Sequence, residues 1–218
     1  MTLAPLCGDV GGFDAGRGRF SRWSAGAGHG RAMIAVALDP AALPIAVAGA
    51  GQAALRRLLA LREAGAADAL VFSEQPDEAL RGAAGQALRS RLPGSADLAA
   101  LRVLWIAGLE DNRAASLAAR ARSAGVLVNF EDRPALCDFH NVAEVRRGDL
   151  LLTVSTNGAS PGLASRIRAR LEGEYGPEWA ERLAVLRAQR AAWRQDQRAP
   201  AELAALTDAL LHAQGWLT

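Results

Sequence analysis

Apolar residues recur in two rhythms along this chain, and the place where the rhythm changes divides it. Residues 45–49, 69–73, 103–107 and 126–129 are short, almost unbroken apolar runs. Four or five apolar residues without alternation are the pattern of strands buried on both faces. Between them, 52–64 carries Leu55, Leu58 and Leu59 at helical spacing and stops at Gly65, and 112–124 is a second helical stretch ended by Gly125. Residues 77–84 also read as helix, and 87–91 as an ambiguous further strand. Strands separated by helices of this length predict an α/β, Rossmann-like parallel sheet with right-handed crossovers.

The pattern changes after Asp138. Residues 142–146 and 150–155 read as strands on either side of a turn at Arg147-Gly148-Asp149. Ser160-Pro161 supplies an N-cap and a proline at the first helical position, opening a helix to about residue 171. Pro177 starts another, with Trp179, Leu183, Leu186 and Trp193 in rough register, and Pro200 starts a last one to about 214. The expected plan is a nucleotide-binding domain at 33–141, a small strand–helix segment at 142–172 and a helical C-terminal domain at 173–218. Residues 1–32 are different. The stretch 8–31 is rich in Gly, Arg and Ser with no apolar period, which predicts a disordered extension. It lacks the apolar core of a secretory signal, and Met33 opens a clean apolar segment and is the expected natural start.

Composition narrows the function. Half of the 218 residues are apolar and the formal net charge is only +2, too balanced to suggest nucleic acid. Every one of the 25 basic residues is Arg, which excludes a Schiff-base or Walker lysine. Arg remains as the strong anion binder, with a planar fork suited to carboxylates. Cys7 and Cys137 lie far apart with no CxxC spacing, so a reducing cytoplasm is expected. His29, His140 and His212 form no metal-ligand cluster, and no apolar run approaches the ~20 residues of a membrane span.

Gly49-Ala50-Gly51-Gln52-Ala53-Ala54 is a GxGxxA that follows a strand and opens a helix, a context that favours cofactor binding over the plain Gly-rich βα turn that the motif alone would equally give. Gly49 permits the tight turn, Gly51 lets a pyrophosphate approach the backbone, and Ala54 permits close helix–strand packing. Gly49, Gly51, Gln52 and Ala53 are the candidate cofactor contacts of this turn. The second strand ends at Ser73-Glu74, where an acidic residue would meet the ribose hydroxyls and favour NAD over NADP. A solvated Glu before Gln75-Pro76 is an equally good reading of that position.

Two later blocks carry a resemblance. Residues 126–139, VLVNFEDRPALCDF, resemble the "VNVVDDPELCDF" segment of the precorrin-2 dehydrogenase and siroheme synthase family. Residues 150–164, LLLTVSTNGASPGLA, resemble that family's "LTVAISTGGKSPVLA", and the order of GxGxxA and the two blocks also matches, from about Met33 through about Arg194. The resemblance implies a Rossmann domain, a small dimerisation segment and a helical tail. It implies NAD-dependent oxidation of precorrin-2 to sirohydrochlorin and a homodimer. Some members also insert ferrous iron, acting as sirohydrochlorin ferrochelatases. It places the family's essential aspartate on Asp132, and its Ser or Thr, phosphorylated in some members, on Thr156. The chain departs from the family at Ala107-Gly108-Leu109-Glu110-Asp111, where the usual text is Ala-Thr-Asp-Asp, and at Ala115, where Asn is usual.

Such an oxidation needs a hydride acceptor and a base held together. Asp132, after a parallel strand at the crevice, suits the base; as a plain Asp it would cap the turn at Arg133-Pro134. Asn129, Thr156, Asn157 and Gly158 are the candidate substrate contacts, the last three in a small-residue turn that presents backbone amides to anions or is simply an N-capped turn. Arg166 and Arg170 read as solvated, and His140 as structural. Two other functions remain open: a Rossmann module that senses NAD or a tetrapyrrole without catalysis, and a different NAD-linked oxidoreductase.

Overall fold

Residues 45–49 form strand β1 (Ile45–Gly49), and all five are buried because helices cover both faces of the sheet they enter. The computed structural model describes residues 33–217; what the sequence predicts for 1–32 lies outside the described residues. By its internal contacts the chain divides at residue 35, and every element lies in the unit 36–218. After β1 come α1 (Gly51–Glu63), β2 (Leu70–Phe72), α2 (Glu78–Ala84), β3 (Leu88–Arg89), α3 (Ser95–Ala100), β4 (Val103–Ala107), α4 (Asp111–Ser123) and β5 (Leu127–Phe130). The five strands pair in the order β3-β2-β1-β4-β5, every pair parallel.

Alternation along each strand sorts the core onto two faces. Ile45, Val47, Val71, Val103 and Trp105 pack with Ala54, Leu58 and Leu61 of α1 and Leu80 of α2. Ala46, Ala48, Leu104, Ile106 and Val128 pack with Leu98 of α3 and Ala114, Leu117 and Ala121 of α4. The α/β parallel-sheet class expected from the sequence is therefore the observed one.

The sequence pattern did not reveal α3. It is six residues long and buries only Leu98, too little for a helical period. What starts it is a carboxylate: Asp97 Oδ2 accepts the Gly94 amide at 2.7 Å and is held by Arg91 at 2.5 Å, which draws the Asp97 carboxyl below its usual pKa.

Beyond the sheet, β6 (Ala143–Arg147) and β7 (Leu150–Val154) form an antiparallel hairpin with Arg147 opposite Leu150, so Gly148-Asp149 is a two-residue turn. Then come α5 (Pro161–Glu174), opened by the Ser160 cap, α6 (Trp179–Gln195) and α7 (Pro200–Ala213). Trp179 and Leu203 are buried, and the Arg182 guanidinium lies 5.0 Å over the Trp179 ring and 5.6 Å over that of Trp216.

Candidate cofactor and substrate site

The chain leaves β1 for α1 on one face and β4 for α4 on the other, so the neighbouring ends of these strands form a switch point, where open α/β sheets bind ligands. The two departing loops touch backbone to backbone. The Ala50 amide donates to the Ala107 carbonyl at 3.2 Å, and a Cβ on Gly49 would lie 1.6 Å from that same oxygen. A Cβ on Gly108 would lie 2.2 Å from the Ala50 carbonyl oxygen, at a φ of +70°. Glycine is thus required on both sides of the contact. Ala50 itself is extended, with φ −150°, and adopts its place without strain.

Gly51 turns the chain at φ +62°, with nothing within 4 Å of where its Cβ would point. Behind it, α1 starts with no side-chain cap and no acidic residue in its first turn, while Ala54 is fully buried. The first-turn amides, those of Gln52 and Ala53 among them, have no side-chain acceptor, and the helix start carries positive potential. An open glycine turn before an uncapped helix fits the pyrophosphate of a dinucleotide.

The two residues after β2 behave differently from each other. Ser73 is 0% exposed, its amide donates to the Arg89 carbonyl, and its hydroxyl has no hydrogen-bond partner among the described residues. Glu74 is exposed and forms an ion pair with Arg113 of α4, a residue that sequence reasoning did not single out.

A cavity of about 380 Å³ opens at the end of β5. Asn129, Glu131 and Asp132 line it from the strand end, Arg57 from α1, and Thr156 and Gly158 from the turn after β7. The structure thus brings Asn129, Asp132, Thr156 and Gly158 together. Asn157 lies between two lining residues without lining the cavity, and Arg166 and Arg170 are exposed away from it.

Asp132 is exposed on this rim, at φ +64°, with no hydrogen bond or ion pair among the described residues. It does not cap the following turn, Pro134–Leu136, whose N-cap is Arg133. Asn157, at φ +53°, belongs to the facing turn. Only one other non-glycine residue among those described, Gln197, has positive φ. Asp and Asn are the side chains that best tolerate this conformation.

Asn129 is 4% exposed and has both amide atoms engaged: its Nδ2 donates to the Phe139 carbonyl at 2.9 Å, and its Oδ1 accepts from Asn141 Nδ2 at 3.3 Å. Asn141 Oδ1 in turn accepts the Trp105 indole N–H at 2.9 Å. The Thr156 hydroxyl donates to the Ser160 carbonyl and accepts the Ser160 amide, at 3.0 and 3.1 Å, which closes the turn. Glu131 faces Arg57 at 3.6 Å, with its Oε2 and Arg57 Nε buried and unpartnered among the described residues. Neither was singled out in the sequence; the available signal was an acidic residue, Glu131, directly beside Asp132 at a strand end. Burial pushes the Cys137 thiol up, so it is an unreactive wall of the cavity.

The five-stranded parallel sheet with a glycine turn at its switch point defines a dinucleotide-binding protein of the Rossmann class. A family model described as NAD(P)-binding matches residues 36–143, and one described as the central part of a sirohaem biosynthesis protein matches 147–174. Over these residues the chain resembles NAD(P)-binding and sirohaem-biosynthesis proteins. It is 37% identical over 134 residues to a siroheme synthase of Methylococcus capsulatus, covering 60% of this chain and 28% of that protein. It is 46% identical over 74 residues to a siroheme synthase of Nitrosomonas eutropha, covering 33% of this chain and 15% of that one. The chain therefore spans well under a third of the length of these relatives. A solved structure described as SirC, precorrin-2 dehydrogenase, shares the fold, with a TM-score of 0.66 at 22% identity over 82% of this chain and 89% of the other.

Proposed function

We propose that the chain oxidises precorrin-2 to sirohydrochlorin with NAD as hydride acceptor, as a homodimer in the cytoplasm. The observation that carries the reading is the Asp132 carboxylate, unpartnered on the rim of a cavity beside the dinucleotide switch point, in a chain that resembles these proteins. The nicotinamide, when bound, supplies the hydride acceptor. The chain supplies the rest. The amides of Gln52 and Ala53 and the turn at Gly49–Gly51 hold the pyrophosphate, and Asp132 takes the ring proton. Its carboxylate meets no competing donor among the described residues, so it is free to act as a base. The turn Thr156-Asn157-Gly158 and the Arg57 guanidinium face the substrate's carboxylate arms, while Asn129 shapes the wall and does not touch substrate directly. Ferrous iron, as a second substrate after dehydrogenation, would meet the same carboxylate.

The cytoplasmic assignment is supported by the sparse, separated cysteines and by the absence, among the described residues, of any helix long and apolar enough to cross a membrane. The dimer is supported by α5, where Leu163 is 51% and Ile167 38% exposed, one turn apart. The test of the activity is anaerobic incubation of the chain with precorrin-2 and NAD, following sirohydrochlorin absorbance and then adding ferrous iron. NADH formed in step with sirohydrochlorin is the expected result. Binding of the dinucleotide and the tetrapyrrole without turnover would replace this reading by a sensor.

A further inference from the structure

β2 and β4 are not neighbours; β1 lies between them, so their ends stand about 10 Å apart. Glu74, two residues past β2, and Arg113, in the first turn of α4 after β4, nevertheless meet in an ion pair. The pair therefore crosses over the end of β1, where the Gly49–Gly51 turn lies. In a sheet of this order the acidic residue after β2 accepts the ribose hydroxyls of the adenosine half, and an Arg nearby accommodates a 2′-phosphate. Here both chemistries stand at one point.

The contact uses one oxygen of Glu74, Oε2, and one nitrogen of Arg113, Nη2. Glu74 Oε1 remains to accept a hydroxyl, and Arg113 keeps Nε and Nη1 as donors for a phosphate. The side chains are 43% and 50% exposed, so both can turn toward a ligand. The other charged groups near the start of α4 are already engaged. Asp111 pairs with Arg133, and the Glu110 carboxylate accepts the Asn112 amide at 3.1 Å. A lone Glu74 would repel a 2′-phosphate; a Glu74 neutralised by Arg113 does not.

We propose that Glu74 and Arg113 together read the 2′ position of the adenosine ribose, so that this chain accepts NAD and NADP to comparable extents. Glu74 receives the hydroxyl of NAD on its free Oε1, and Arg113, still paired with Glu74 through Nη2, offers Nε and Nη1 to the phosphate of NADP. The inference rests on the cofactor reading above and concerns only which of the two dinucleotides binds.

The test is isothermal titration calorimetry of the full chain with NAD and with NADP, in the absence of any tetrapyrrole. The wild-type dissociation constants should agree to within about tenfold, because each dinucleotide finds one charged partner in the pair, and a charged hydrogen bond to a bound ligand is worth about tenfold or more. Arg113→Ala should weaken NADP by that factor and leave NAD within about threefold, while Glu74→Gln should tighten NADP and weaken NAD. Circular dichroism controls for folding. If the NADP/NAD ratio is the same in wild type, Arg113→Ala and Glu74→Gln, the pair is an ordinary surface salt bridge and the inference falls while the cofactor site stands. If wild type binds neither dinucleotide at millimolar concentration, the cofactor reading itself is wrong and takes this inference with it.

Discussion

The amide nitrogen of Ala50 lies 3.2 Å from the carbonyl oxygen of Ala107, and that hydrogen bond joins the two loops between which a dinucleotide would lie. The reciprocal contact is steric. Gly108 follows Ala107 at φ +70° and presses against the Ala50 carbonyl, where a Cβ would be 2.2 Å away. In the sequence Gly108 was a departure from the family text. In the structure it is the residue that lets the crevice close to backbone contact.

Gly108→Ala should therefore act on stability and cofactor affinity together. The strained φ and the overlap with Ala50 together cost about 1–3 kcal/mol, and each kcal/mol lowers Tm by about 2–4 °C in a chain of this length. Thermal unfolding with and without NAD checks it. A variant with wild-type Tm and wild-type NAD affinity would show that the loops can separate without consequence.

Asn129→Ala should behave as a structural lesion. It leaves the Phe139 carbonyl and the Asn141 amide without their partner and loosens the link to Trp105. Unpaired buried groups of this kind cost about 1–3 kcal/mol. The expected signature is a lower Tm with a nearly unchanged KM for precorrin-2. An unchanged Tm with a KM raised tenfold or more would make Asn129 the substrate contact expected from the sequence.

How much of this could be read from the sequence differs between the two halves of the site. β1 and β4 were visible to the residue because burial on both faces leaves an unbroken apolar run, and the GxGxxA turn stood directly after one of them. β5 was placed one residue early, since Val126 is as buried as the strand it leads into. The roles of the polar residues were less legible. Ser73 and Glu74 are adjacent in sequence, yet one is sealed in the sheet and the other reaches Arg113. That outcome depends on which strand lies beside β2, and no local pattern encodes it. Arg57 and Glu131 escaped for the same reason: 74 positions apart in numbering, they meet only once α1 lies over the sheet.

Ile167→Glu should dissociate the proposed dimer. Ile167 and Leu163 share a face of α5 and are both exposed in the single chain, and a buried unpaired carboxylate at an interface is strongly unfavourable. Sedimentation equilibrium at micromolar concentration should give a dimer for wild type and a monomer for the variant. A wild-type monomer, or a variant that remains dimeric, would remove α5 from the interface.

Asp132→Asn should fold, bind NAD and fail to dehydrogenate. Asn tolerates the φ of +64° as well as Asp does, and the carboxylate makes no hydrogen bond among the described residues whose loss would destabilise the chain. The far-UV circular dichroism, Tm and NAD affinity should therefore match wild type. A positioned base contributes about 10²–10⁴-fold to rate, so single-turnover NADH formation under anaerobic conditions should fall by that factor. Substrate affinity should change little, since the carboxylate arms of precorrin-2 and not its ring protons would supply most of the binding. The amide cannot accept a proton at neutral pH, so loss in the Asn variant separates proton transfer from mere shape at the rim. Turnover within about threefold of wild type lies well short of the range for a positioned base. That result would take Asp132 out of the dehydrogenation and leave it, if anywhere, at the handling of iron.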